Sequence, residues 1–173
     1  MDFETLISER YSVRSFKLEH LPNTIIDKIL YAGHKAPTGC NYQPQRILVM
    51  NTDESIEKLK KCTKCHFNAP TAMLVCHNVK ESWVRKYDGA LSSQVDAAIV
   101  ATYMMLAAHN EGIGCCWVMH FDPTVMRKTF NIPDNVDPVA LLVMGYPSDD
   151  AKPLDLHFIT RPMEETVFYE EFK

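Results

Sequence analysis

Near the start of the chain, the stretch ERYSVRSF sets Arg10, Ser12 and Arg14 at every second position. In an extended segment this spacing projects those three side chains to one side, and Tyr11, Val13 and Ser15 to the other. Two guanidiniums and a hydroxyl converging in this way suit a phosphate, because arginine offers paired donors and a fixed charge to a dianion. A plainer role fits equally well, since basic residues just after a short helix favour its C-terminus. A second polar group lies in APTGCNYQPQR, residues 36–46. There Pro37 and Pro44 stiffen a loop, Gly39 permits a turn, and Asn41 and Gln43 present amide donors and acceptors together. Such amides suit a heteroaromatic edge that alternates carbonyls and nitrogens, and by themselves they also describe a polar surface loop.

A third stretch, KKCTKCHF at 60–67, spells C-x-x-C-H through Cys62, Cys65 and His66, the spacing of a c-type haem attachment and, without the histidine, of metal and redox motifs. The N-terminal MDFETLISERYSVRSF has no basic region followed by an apolar one, so the expectation is a cytoplasmic protein whose six cysteines are reduced thiols. That compartment disfavours covalent haem. Zinc needs a second ligand pair, and Cys40, Cys76, Cys115 and Cys116 do not supply one at a suitable spacing. The seven histidines are dispersed, with no pair at the i, i+4 spacing of a helical site. The expectation is therefore no metal, with Cys62 and Cys65 as small, half-apolar residues near a helix end.

These groups need elements to position them. At 173 residues, 46% of them hydrophobic, the chain suffices for one sizeable core, and a single domain over 1–173 is expected. A formal net charge of −4 gives no reason to expect a nucleic-acid partner, and no apolar run is long enough for a membrane span. The spacing predicts an amphipathic helix over 23–36 after Pro22 with a capping Asn23, strands at 46–50 and 72–76, and a helix DESIEKLKK between them. The strongest helix pattern covers 92–111, with Gly112 as its stop. GCCWV follows as a strand, Asp122 and Pro123 start another helix, and VALLVMGY at 139–146 is the last strand. From 147 to 173 the chain carries prolines and isolated large apolar residues, an arm that cannot form its own core and is expected to pack on a second copy.

Taken in order, R-x-S-x-R, then A-P-T-G-x-N-x-Q-P, then a long helix running into G-I-G-C-C-W-V, then L-L-V-M-G-Y-P and a last R-P-M-E-E resemble the FMN-dependent nitroreductase family over nearly the whole chain. The resemblance implies an α+β fold of three layers, with a mixed central sheet flanked by helices and the C-terminal arm exchanged in a homodimer. It implies FMN as cofactor, bound by Arg10, Tyr11, Ser12 and Arg14, with Arg161 returning from the tail to the phosphate. Pro37, Thr38, Asn41 and Gln43 correspond to the loop that reaches the flavin, typically from the other subunit. Trp117, Val118 and Met119 would run beside the isoalloxazine ring with backbone N–H groups toward N5.

The activity implied is transfer of hydride or electrons from NAD(P)H, through the flavin, to a nitroaromatic, quinone or similar acceptor. No nucleophile or acid/base pair is needed, so no catalytic side chain is assigned. No G-x-G-x-x-G follows a strand, and the nicotinamide donor is implied by the family alone. Where many compact members read G-x-G-x-C-W-I-G-G, this chain reads GIGCCWVMHF, setting Met119 and His120 in place of small glycines. That crowding motivates a second expectation, a flavin-binding protein of low turnover. A third is a thiol or metal protein centred on Cys62, Cys65 and His66.

Overall fold

The computed structural model describes residues 2–172. It opens with α1 (Phe3–Glu9), capped by the Asp2 carboxylate on the Thr5 amide, then α2 (Asn23–Lys35). Pro22 rather than Asn23 is the N-cap of α2, and no side chain caps this end. Next come β1 (Gln45–Met50), α3 (Asp53–Leu59) and β2 (Thr71–Asn78). Thr52 and Ser55 form a reciprocal capping box at the start of α3. The long α4 (Ser93–Asn110) stops at Gly112, whose φ of +74° suits a residue without a Cβ. After it follow β3 (Gly114–Val118), α5 (Pro123–Phe130) and β4 (Val136–Gly145). Asp122 caps α5 by accepting from the Thr124 and Val125 amides, with Pro123 behind it in the first turn.

The sheet runs in the order β1-β2-β4-β3 with every neighbouring pair antiparallel. Its mixed character comes from the N-terminal segment, where Ser12 bridges Cys115 in parallel along the open edge of β3. Both faces are covered, which is why β2 carries the continuous apolar run 72–76 and has all eight residues buried. Met73 and Val75 face Ile26 and Ile29 of α2 and Val100 and Met104 of α4. Ala72, Leu74 and Cys76 face Ile56 and Leu59 of α3 and Met126 of α5. Three layers follow: α2 and α4, the sheet, then α3 and α5.

After Gly145 the chain forms only short 3₁₀ turns, Asp155–Phe158 and Met163–Glu165. Leu156, Phe158, Ile159, Met163 and Tyr169 stand exposed along it. Among the described residues no helix is long and apolar enough to cross a membrane.

Candidate functional site

The N-terminal segment is stitched to β3 by a hydrogen bond from the Val13 amide to the Cys115 carbonyl at 3.1 Å. Val13 is buried against Gly114, where an added Cβ would meet Val13 side-chain atoms at 2.8–2.9 Å. With Val13 turned inward, Arg10, Tyr11, Ser12 and Arg14 line a cavity of about 330 Å³, closed by Leu154, Leu156 and His157 from the C-terminal arm. The expected convergence of Arg10, Ser12 and Arg14 is present and Val13 is turned away from it, but the strict alternation fails at Tyr11, which lines the same cavity, its ring set edge-on to His157 of the arm. Arg10 is also the C-cap of α1, its amide donating to Leu6, so the helix-end role and the cavity role coexist.

Arg14 is oriented from two directions. Its Nη1 donates to the Ser12 carbonyl at 3.0 Å, and its guanidinium lies 5.9 Å from the centre of the Phe67 ring. Phe67 and Asn68 both hold left-handed φ, +50° and +53°, a costly state for a ring-bearing residue that the surrounding structure must enforce. The segment after the cysteine motif thus reaches Arg14, though not the cavity wall itself, through Phe67. Neither Phe67 nor His157 was legible in the spacing of the sequence. His157 joins through its ring, set edge-on to Tyr11 at 6.2 Å.

Arg161 does not line this cavity. Its guanidinium is largely exposed and lies 3.7 Å from Glu165.

Burial holds several of the thiols protonated, one of them beside Arg14 and Ser12. Burial pushes the Cys116 thiol up, opposed by the Arg14 guanidinium and a hydrogen bond with Ser12. Burial likewise raises Cys62, and drives Cys76 to about 12. A thiol that resists ionisation is a poor nucleophile and metal ligand. All six cysteines are free, and among the described residues no group of three or more His, Cys, Asp or Glu is placed to hold a metal.

The 37–43 loop is built at the other end of α4. Asp96, buried in the first turn of α4, accepts from the Gly39 amide and from the Ser92 hydroxyl, both at 2.8 Å. The Thr38 hydroxyl accepts from the Gln43 amide at 3.1 Å, and the Gln43 side-chain amide donates to the Asn41 side-chain oxygen at 3.2 Å. Cys40, Asn41 and Gln43 all take positive φ, so the loop has a specific turned shape, held by these hydrogen bonds, that leaves Asn41 and Gln43 exposed. None of Pro37, Thr38, Asn41 or Gln43 lines the arginine cavity of the same chain.

Along β3, Trp117 is half-buried, Val118 is buried and Met119 is 59% exposed. At roughly 3.3 Å of rise per residue, Met119 lies about 13 Å along the strand from Cys115. The structure thus lays a basic, hydroxyl-bearing pocket at one end of β3 and an open strand end at the other.

The chain belongs to the nitroreductase family, whose model matches residues 7–88 and 66–146. It is similar to a nitroreductase family protein of Clostridium difficile 630, with a TM-score of 0.92 and 38% identity over 99% of this chain and 100% of that one. A protein of Methanothermobacter thermautotrophicus, named by inference as an NADH dehydrogenase/NAD(P)H nitroreductase, is 30% identical over 163 residues, 90% of this chain and 83% of its own length. An FMN-dependent nitroreductase of Clostridium difficile R20291 shares the fold at a TM-score of 0.79 and 22% identity, over 98% of this chain and all of that one. The α+β architecture expected from the sequence is the one these structures share.

Proposed function

We propose that the chain is an FMN-dependent NAD(P)H oxidoreductase of nitroreductase type: one flavin-binding domain over 1–173, working as a homodimer in the cytoplasm. The observation that carries this is the Arg10–Ser12–Arg14 cavity fixed along β3 by the Val13–Cys115 hydrogen bond. Its donors fit the FMN phosphate: two permanent charges, one hydroxyl, and no carboxylate among the walls to repel a dianion. When bound, FMN supplies the hydride and electron chemistry between a reduced nicotinamide and a small acceptor such as a nitroaromatic or quinone.

The chain's own residues then bind and orient. Arg10 and Arg14 hold the headgroup, Ser12 reaches the phosphate or ribityl chain, and Tyr11 backs the pocket against His157. Trp117, Val118 and Met119 border the ring along the strand. Pro37, Thr38, Asn41 and Gln43 meet the ring from a second copy, a role supported by the hydrogen-bonded, exposed amides of a loop that does not line its own arginine cavity. Two copies exchanging residues 147–173 would cover the apolar arm and carry Arg161 toward the phosphate. Six free thiols fit a reducing compartment.

Purified protein should be yellow and release FMN on denaturation. Stopped-flow mixing with NADH and with NADPH should bleach the flavin band. Colourless protein that takes up no added FMN would overturn this function. A second reading, flavin binding with low turnover, is favoured by the exposed Met119 at the strand end where a small residue would leave the ring face open. Binding without bleaching by either donor would select it.

A further inference from the structure

A second cavity, about 670 Å³, opens immediately beyond the end of β3 and belongs to none of the roles above. Its walls include Lys60, Lys61, Thr63, Lys64, His120 and Asp122. Two bonds tie it to the strand end: the Thr63 hydroxyl donates to the His120 carbonyl at 2.5 Å, and the Asp122 amide donates to the Cys62 carbonyl at 2.8 Å. Thr63 is itself buried, so the loop carrying the lysines is fixed relative to Met119.

The charge in this cavity is unbalanced. Lys60 is engaged by Glu57 at 2.5 Å. Asp122 spends one carboxylate oxygen on two amides of α5, which directs its charge into the helix start. Lys61 and Lys64 are exposed and form no ion pair among the described residues. Two uncommitted ammonium groups on flexible stems suit the spread charge of phosphates better than a single planar carboxylate, which arginine would match in a fork.

Resting on the proposed oxidoreductase function, we infer that this cavity holds phosphate groups of the reduced nicotinamide dinucleotide while its nicotinamide lies at the open end of β3. The donor carries phosphates that nitroaromatic and quinone acceptors lack. No glycine-rich dinucleotide fingerprint exists elsewhere in the chain to receive them. Under this inference the stretch KKCTKC works through its lysines, not its cysteines.

The test uses flavin-loaded protein and the double variant Lys61→Ala/Lys64→Ala, checked for unchanged FMN content and melting temperature. Anaerobic stopped-flow should show the apparent Kd for the donor raised about tenfold, as expected for lost contacts to a charged group, while the limiting rate of flavin reduction holds. Equal losses for NADH and NADPH assign the diphosphate; a loss confined to NADPH assigns the 2′-phosphate. Unchanged Kd for both donors, or an effect on the acceptor's KM alone, overturns the inference. Calorimetric titration with ADP separates the two levels of the account. ADP binding that depends on Lys61 and Lys64, in protein that neither donor reduces, would sink the oxidoreductase function and leave an anion site standing; absence of ADP binding together with unchanged donor Kd would sink the cavity alone.

Discussion

The Val13 amide donates to the Cys115 carbonyl at 3.1 Å, and this bond converts an N-terminal segment into an edge of the sheet. Arg10, Tyr11, Ser12 and Arg14 of that segment then line the cavity, while Val13 is locked beneath against Gly114.

Gly114→Ala tests the packing under that bond. A Cβ would meet Val13 at 2.8–2.9 Å, including the Val13 Cβ itself, so the segment must shift rather than a side-chain tip. Overpacking of this kind costs about 1–3 kcal/mol. The expected result is a lower melting temperature and weakened FMN binding together; a variant with native affinity would show that the segment's seat on β3 does not set the arginines.

Asp96→Ala tests the second half of the site. It leaves the Gly39 amide and Ser92 hydroxyl without their acceptor, at about 1–3 kcal/mol for the unsatisfied groups. Released from α4, the 37–43 loop should lose its fixed shape. Hydrogen exchange at Gly39 to Gln43 should accelerate; unchanged protection would show that Asp96 does not hold the loop.

Acid sensitivity follows from the histidines. Burial lowers His77 below its usual 6.5, with Asp137 and Asp96 opposing, and its Nδ1 lies 2.8 Å from the Ser93 hydroxyl. His109 and His66 are lowered by burial as well. The unfolded chain then binds protons more readily than the native one, so stability is full above about pH 6.5 and falls as pH drops through the native values. His77→Gln should flatten part of that fall in a series of melting temperatures; curves parallel to wild type would assign the loss to other groups.

The cysteine motif yields to substitution. Cys65→Ser, at a half-buried position, should retain colour and activity, while Cys62→Ser introduces a hydroxyl into the core beside Leu59 and Met126 and should lower stability without bleaching the protein. Loss of activity in folded, flavin-loaded Cys65→Ser would restore a redox role to the thiols.

Much of this was legible in the sequence because it depends on local pattern. The apolar runs of β2 and β4, the stop at Gly112 and the Asp122–Pro123 start of α5 each carry their own chemistry, and the structure contains all of them, with β2 longer at both ends than 72–76 and β4 starting at Val136 rather than 139. The spacing of R-x-S-x-R likewise brings Arg10, Ser12 and Arg14 to one cavity, but it does not exclude Tyr11 from it. Tertiary neighbours left no such trace. Phe67 under Arg14, Asp96 beneath Gly39 and His157 against Tyr11 meet across 53, 57 and 146 positions of chain, and no periodicity encodes such contacts. Arg161 illustrates the same limit in reverse: its order in the chain matches the family, yet within one copy its ionic neighbour is Glu165.

The most direct measurement is FMN titration of apoprotein by flavin fluorescence, for wild type and for Arg10→Ala and Arg14→Ala. Each arginine contributes charge-assisted hydrogen bonds of about 1.5–3 kcal/mol, so each variant should bind FMN roughly 10- to 100-fold more weakly while keeping its fold. Folded variants that bind FMN as tightly as wild type would contradict the claim that this cavity holds the cofactor.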